Sequence, residues 1–182
     1  MAQKRLFVAI DLPDALKNAL EEAMNQSSAG NLRWTPAENL HITLVFIGDA
    51  PEEQIPELSQ KIEEVAAVQP PFSLDYAGSK MIYRKKKPVM LWGVFDFPEA
   101  FSDLARSLHN SLNIEARHAP FPHVTLSRIK KPIDPYKLDL SPLQQIEFNS
   151  WQIKQLTLFE SIRTKDRPYY YALDTFSLRG QG

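Results

Sequence analysis

His41-Ile42-Thr43-Leu44 and His123-Val124-Thr125-Leu126 are two copies of one short word. A β-strand points successive side chains to opposite faces, so His41 and Thr43 share one face and Ile42 and Leu44 the other. His123 and Thr125 stand in the same relation to Val124 and Leu126. Each copy offers a polar pair on one side and an apolar anchor on the other. At ~3.3 Å per residue, the His and Thr of one copy lie about 6.6 Å apart along the strand, within reach of one phosphate-sized group. The chain has four His, at 41, 109, 118 and 123. Its composition would produce two such words by chance about once in 10,000 chains. A single copy is most simply a strand whose His and Thr satisfy each other at a surface; two copies in similar surroundings call for a shared role.

Two imidazoles facing one cleft suit phosphodiester chemistry. A neutral His takes a proton from water, and a protonated His gives one to the leaving oxygen. Imidazole titrates near neutrality, so both forms are accessible together. Mutual repulsion is expected to separate the two titration steps. The Thr hydroxyls donate hydrogen bonds to phosphoryl oxygens that gain charge in the transition state. The residues define this pair of roles but do not distribute it between the two His. A zinc site is disfavoured, because neither copy supplies a third ligand.

The rest of the composition narrows the class. At 182 residues the chain suits one domain, or two small lobes sharing a core. A hydrophobic fraction of 43% and a charged fraction of 24% are those of a globular protein. The net charge of −1 argues against broad electrostatic binding of nucleic acid but permits a local basic cleft. The absence of cysteine excludes disulfides, thiolate metal sites and Cys nucleophiles. Neither a secretory leader nor a membrane span is evident, so a cytoplasmic location is expected.

Taken in order, residues 5–12 form a nearly continuous apolar run, as a central strand requires. Pro13 opens an amphipathic helix over roughly 13–25, ended by Ser27-Ser28-Ala29-Gly30. Arg33-Trp34-Thr35 reads as a short edge strand, and the first motif strand spans 40–47. Pro51-Glu52-Glu53 begins a second helix that runs to about Val68. Extended segments follow at 72–76, 79–83 and 89–95, with a basic turn at Arg84-Lys85-Lys86-Lys87. A third helix starts at Pro98, and the second motif strand spans 123–129. A loop rich in Pro and Asp follows. Residues 147–161 and 169–178 read as a last strand pair, joined by Arg163-Thr164-Lys165-Asp166-Arg167. Hairpin-length connections and three helices predict an α+β fold with antiparallel sheets. Each half repeats a helix, a motif strand and a strand pair. The expectation is a duplication, with the two motif strands related by a pseudo-twofold.

The doubled His-x-Thr-Leu resembles the two-histidine (2H) phosphoesterases. Arg5-Leu6-Phe7-Val8-Ala9-Ile10-Asp11-Leu12-Pro13 looks like the opening strand of the RNA 2′,3′-cyclic phosphodiesterases, formerly called 2′-5′ RNA ligases. Residues 36–48, Pro-Ala-Glu-Asn-Leu-His-Ile-Thr-Leu-Val-Phe-Ile-Gly, are similar to that family's first motif. Residues 121–128, Phe-Pro-His-Val-Thr-Leu-Ser-Arg, are similar to its second. The resemblance covers most of the chain, with 132–150 and the tail less diagnostic. It implies one bilobal unit over 1–182, with two antiparallel sheets around a central cleft and helices outside. It also implies no metal and no other cofactor, and RNA with 2′,3′-cyclic phosphate ends as the substrate, opened to a 2′-phosphate. On this chain His41 would be the proton donor and His123 the proton acceptor. Thr43 and Thr125 would hold the phosphate, and Arg128 would add charge. The chain is expected to act as a monomer without a membrane.

Arg84 and Lys85 in one basic turn, and Arg163 and Lys165 in the other, are candidate RNA contacts, against the simpler reading of solvated hairpins. Trp34, Tyr83 and Trp92 are candidates to stack on a base, against the simpler reading of core aromatics. His118 reads as a loop residue and His109 as structural. Two alternatives stay open: a cyclic phosphodiesterase of small nucleotides, and a non-catalytic RNA-binding module. Intact His and Thr in both copies weigh against the second. No phosphate-binding G-x-x-x-x-G-K-[ST] loop and no Lys-x-Asp-Gly word is present, so any ligation would be the ATP-independent reverse reaction.

Overall fold

The computed structural model describes residues 2–28, 32–116, 118–148, 150–165 and 167–180. Ala29 and Gly30 of the expected helix end, Asp166 of the expected basic loop, and residues 1, 181 and 182 lie outside them.

Strand β1 (Gln3–Asp11) buries every residue from Leu6 to Ile10 at 3% exposure or less, because it has a strand on each side and cover on both faces. Pro13 precedes helix α1 (Asp14–Gln26), which buries Leu16, Leu20, Ala23 and Met24 along one stripe. A 3-10 turn (Ala37–Asn39) leads into β2 (His41–Pro51). The second helix begins later than Pro51: residues Glu52–Gln54 make a 3-10 turn and α2 spans Ile55–Val68. Then come β3 (Phe72–Leu74), β4 (Tyr76–Arg84), β5 (Lys87–Phe95), α3 (Glu99–Ser111) and β6 (His123–Arg128). The Pro- and Asp-rich loop contains a one-turn helix, α4 (Ser141–Gln144). The expected strand over 147–161 is split into β7 (Trp151–Ile153) and β8 (Gln155–Arg163), before β9 (Pro168–Ser177) closes the fold. Segment 33–35 makes only a bridge, Trp34 to Ser127.

Seven strands form one sheet in the order β4-β5-β6-β2-β1-β8-β9, with every neighbouring pair antiparallel. β3 and β7 pair separately, which is why the 147–161 segment divides. The two motif strands, β2 and β6, meet through the single register pair Ile42–Val124. The sheet therefore consists of two antiparallel arms hinged at the motifs. The unit β1-α1-β2 in one arm recurs as β5-α3-β6 in the other.

The repetition extends to a β-bulge. Ala9 pairs with Thr43 and Val8 with Val45, so Leu44 has no partner of its own; Trp92 pairs with Thr125 and Leu91 with Ser127, so Leu126 has none. On the helix side, Ile42, Leu44, Val124 and Leu126 join Leu16, Leu20, Phe101, Leu104 and Leu108 in one buried cluster that draws on both arms. The opposite face of the motif strands is left for the cleft. No helix among the described residues is long and apolar enough to cross a membrane.

Candidate active site

The bulges decide which side chains enter the cleft. Strict alternation would turn Ser127 toward it with His123 and Thr125, and Arg128 away. The extra residue at Leu126 shifts the alternation by one. Ser127 is fully buried, its hydroxyl donating to the Arg33 carbonyl at 2.9 Å, and Arg128 lines the cleft instead. The bulge at Leu44 does the same for Phe46 in the first arm. Arg128 and Phe46 are thus equivalent positions with different chemistry. The first arm recovers a cation from β1: the Arg5 guanidinium lies over the Phe46 ring at 4.6 Å from its centre, tethered to Asp49 at 3.2 Å.

His41, Thr43, His123, Thr125 and Arg128 all line one cavity of about 520 Å³. That is within the range of small-ligand sites. Both imidazoles are held the same way. His41 Nδ1 lies 2.8 Å from the Asn39 carbonyl, and His123 Nδ1 lies 2.8 Å from the Phe121 carbonyl, each two residues upstream. A carbonyl only accepts, so each Nδ1 carries its hydrogen and donates. In the neutral ring this leaves Nε2 as a free base. His41 Nε2 lies 3.0 Å from Thr43 Oγ1, whose hydroxyl donates to it.

Burial, rather than mutual repulsion, dominates the titration. It lowers His41 to about 4; the Asn39 carbonyl and Asp11 act upward, and His123 and Arg128 reinforce the fall. Burial also lowers His123 below the ordinary imidazole value, opposed by the Phe121 carbonyl and aided by Arg128. In the free chain both rings are therefore biased toward the uncharged form, His41 most strongly. Both titrations thus lie on the acid side of the near-neutral range of a free imidazole. An anion arriving in the cavity is what would restore a proton to the pair.

Among the described lining residues, Arg5, Arg128, Lys130, Arg163, Lys165 and Arg167 are cationic and none is acidic. A chain of net charge −1 thus concentrates positive potential on one cleft. The cations at 163–167 arrive because the β8–β9 hairpin folds across the site. The Asn39 side-chain amide donates to the Pro168 carbonyl at 2.8 Å, and Arg167 pairs with Glu38 at 3.2 Å. Tyr170 on the same hairpin meets the His41 ring edge to face at 5.0 Å, and Phe7 lies 4.9 Å from that ring. No three His, Cys, Asp or Glu side chains among the described residues converge as a metal-ligand set.

Of the four basic candidates from the hairpins, the fold brings Arg163 and Lys165 to the cleft, but Arg84 and Lys85 do not line the cavity. Their hairpin runs on from the Met90–Arg128 register pair, so Lys87 stands about 10 Å further along β5. Lys85 and Lys86 form its two-residue turn at φ 48° and 63°, and the whole tip is exposed. Trp34 packs against the core and Tyr83 is exposed on the hairpin, while Trp92 stacks on His123 and not in the open cleft. His109 Nδ1 donates to the Ile114 carbonyl at the end of α3, a structural contact, and His118 is an exposed loop residue. Arg5, Asn39, Lys130 and Tyr170 were missed. Asn39 and Tyr170 carry no sequence signal of their own, since Tyr170 is the middle one of three consecutive Tyr and only the register selects it.

The comparisons with known proteins agree with this architecture. A family model described as LigT like Phosphoesterase matches residues 8–92. A Thermus thermophilus protein named RNA 2′,3′-cyclic phosphodiesterase is 30% identical over 190 residues, covering 97% of this chain and 91% of its own. The crystal structure of TT0787 of Thermus thermophilus superposes with a TM-score of 0.81 at 28% identity, covering 98% of this chain and all of that one. Escherichia coli LigT complexed with 3′-AMP gives a TM-score of 0.78 at 25% identity, covering 97% of this chain and 99% of that one. The duplicated arms, the paired His-x-Thr strands and similarity along nearly the whole length lead to one conclusion: this chain belongs to the LigT-like phosphoesterase family.

Proposed function

We propose that this chain hydrolyses RNA 2′,3′-cyclic phosphate ends to 2′-phosphate ends by general acid–base catalysis that needs no metal. The observation that carries the reading is the pair of imidazoles, each tied at Nδ1 to a carbonyl and opening on one cation-lined cavity. His123 Nε2 takes a proton from water as the water oxygen bonds to phosphorus. The bond from phosphorus to the 3′ oxygen breaks, and His41 Nε2 gives that oxygen its proton. Thr43, Thr125 and Arg128 bear on the phosphoryl oxygens as charge builds there. The assignment of donor and acceptor rests on family resemblance, and the rest on geometry. Charging the pair requires the substrate: its phosphodiester anion stabilises imidazolium against the burial that otherwise forbids it. ATP-independent ligation would follow the same steps with an RNA hydroxyl in the place of water. The 3′-AMP complex of the E. coli relative supports a nucleotide-sized occupant.

An oligonucleotide ending in a 2′,3′-cyclic phosphate tests the reading. The expected product carries a 2′-phosphate and a free 3′-hydroxyl, at the same rate in EDTA and without added nucleotide. Loss of activity in EDTA, restored by zinc or magnesium, would refute the metal-free mechanism. An oligonucleotide that remained uncleaved under all these conditions would leave a cyclic phosphodiesterase of small nucleotides or a binding module, which a cyclic mononucleotide substrate separates.

The two basic hairpins are expected to act at different ranges. Arg163 and Lys165 line the cavity, so neutralising them should raise KM for cyclic mononucleotide and oligonucleotide alike. Arg84 and Lys85 stand beyond it. Neutralising them should weaken only longer RNA and flatten the salt dependence of its binding, by about 0.7 in log–log slope for each single-strand phosphate no longer neutralised. Salt-dependent Kd measurements on RNAs of increasing length check this. An equal loss on the mononucleotide from the 84–85 change would contradict it.

A further inference from the structure

The indole of Trp92 lies against the His123 imidazole with ring centres 3.7 Å apart and planes 21° from parallel. This stack is tighter than the contacts of His41 with Phe7 or Tyr170. The register explains it: Trp92 pairs directly with Thr125 on the neighbouring strand, at the position that Ala9 occupies beside Thr43. The duplication thus places a small residue next to one motif and the largest aromatic next to the other. The indole Nε1 is buried and has no hydrogen-bond partner among the described residues. A buried, unpaired donor costs stability, and a Phe would fill the same stack without it. Packing alone gives no reason for an indole here. Charge does: of the aromatic faces, indole attracts a cation most strongly, and the imidazole lies well inside the ~6 Å range of that attraction.

We propose that Trp92 is a positioning residue for the reaction, holding the His123 ring toward the cleft and stabilising its imidazolium through the indole face as the ring takes the proton from water. The proposal rests on the reading of His123 as the proton acceptor. It also explains how two rings in similar carbonyl tethers come to differ. His123 receives positive charge during turnover and has an electron-rich face to receive it, whereas His41 loses charge and lies among Phe7, Tyr170 and the hydroxyl of Thr43. The titratable and charged groups around His123 are Arg128 on its own strand, His41 on β2, and Arg5, Lys130, Arg163, Lys165 and Arg167 along the same cavity. β5 adds no charge there, so the indole face joins the Phe121 carbonyl in opposing the burial and the cations that disfavour imidazolium.

The test changes the indole face while keeping its shape. Mono-, di- and trifluorinated tryptophan are placed at position 92 of the full chain, and the four His are titrated by NMR without ligand. Because Nε1 bonds to nothing among the described residues, fluorination should act mainly on the ring face. The His123 midpoint should fall stepwise, by about half a unit or more over the series, while His109 stays fixed. Turnover of a cyclic-phosphate RNA should fall in step, in kcat more than in KM. A flat or rising His123 midpoint overturns the proposal. A falling midpoint with unchanged turnover would keep the stack but overturn His123 as the acceptor. Trp92→Phe supplies an independent arm: melting temperature unchanged or raised, since the orphaned N–H is gone, with His123 midpoint and kcat both lowered. Parallel loss of stability and activity at an unshifted midpoint would make Trp92 a packing residue only.

Discussion

His41→Ala and His123→Ala are each expected to lower kcat/KM on a 2′,3′-cyclic-phosphate oligonucleotide by at least ~100-fold, the lower range of a general acid or base contribution. The double variant should lose less than the product of the two, because both rings act in one step. Thr43→Ala and Thr125→Ala should cost less than either, each removing one hydrogen bond among several. A substrate with a good leaving group, such as a nitrophenyl ester, needs little help from an acid. It should largely rescue the His41 variant and leave the His123 variant slow; rescue of His123 instead would exchange the two roles. The pH profile carries a further sign. In the free chain both rings titrate below the ordinary imidazole value, His41 at about 4. In the proposed mechanism the productive form holds one proton on the pair, so the kcat/KM bell should be centred on the acid side of ~6.5. A bound phosphodiester anion should raise both rings, so the kcat profile should lie at higher pH. Coincident profiles would mean that substrate does not charge the pair. Loss of only a few-fold in both alanine variants would exclude two-histidine catalysis.

Arg128→Gln carries the second large effect. Arg128 makes one weak hydrogen bond among the described residues, to Met90 Sδ at 3.7 Å, so its removal should leave the fold intact. A hydrogen bond to a charged group contributes about 1.5–3 kcal/mol, so kcat/KM should fall roughly 10- to 150-fold. The direction of the pH shift distinguishes a role at the site from general damage. The guanidinium disfavours a proton on both imidazoles. Without it both should titrate higher, and the kcat/KM bell should move up in pH even as its height drops. A lowered profile at unchanged pH would mean that Arg128 binds RNA without facing the reacting pair. Phe46→Arg makes the comparison from the other arm, since the two positions are equivalent through the bulges.

The chain's local patterns were enough for the motif strands, the three long helices and their buried stripes. Period-two and period-3.6 patterns report which face is apolar, and apolar faces are where folding free energy resides. The same logic made the duplication legible, because two copies of a polar pair over an apolar anchor need a shared cleft. Tertiary structure alone decided the rest. The bulges at Leu44 and Leu126 are set by pairing with β1 and β5, and they reverse the face of the residues just after them, so Phe46 and Arg128 enter the cleft and Ser127 leaves it. The fold of the β8–β9 hairpin over the site depends on Asn39 and Glu38, which lie more than a hundred residues away in the chain. The protonation of the two rings depends on burial, which no motif encodes. Strand alternation is a local property of the backbone; register, burial and electrostatic field are sums over neighbours that only the folded chain brings together.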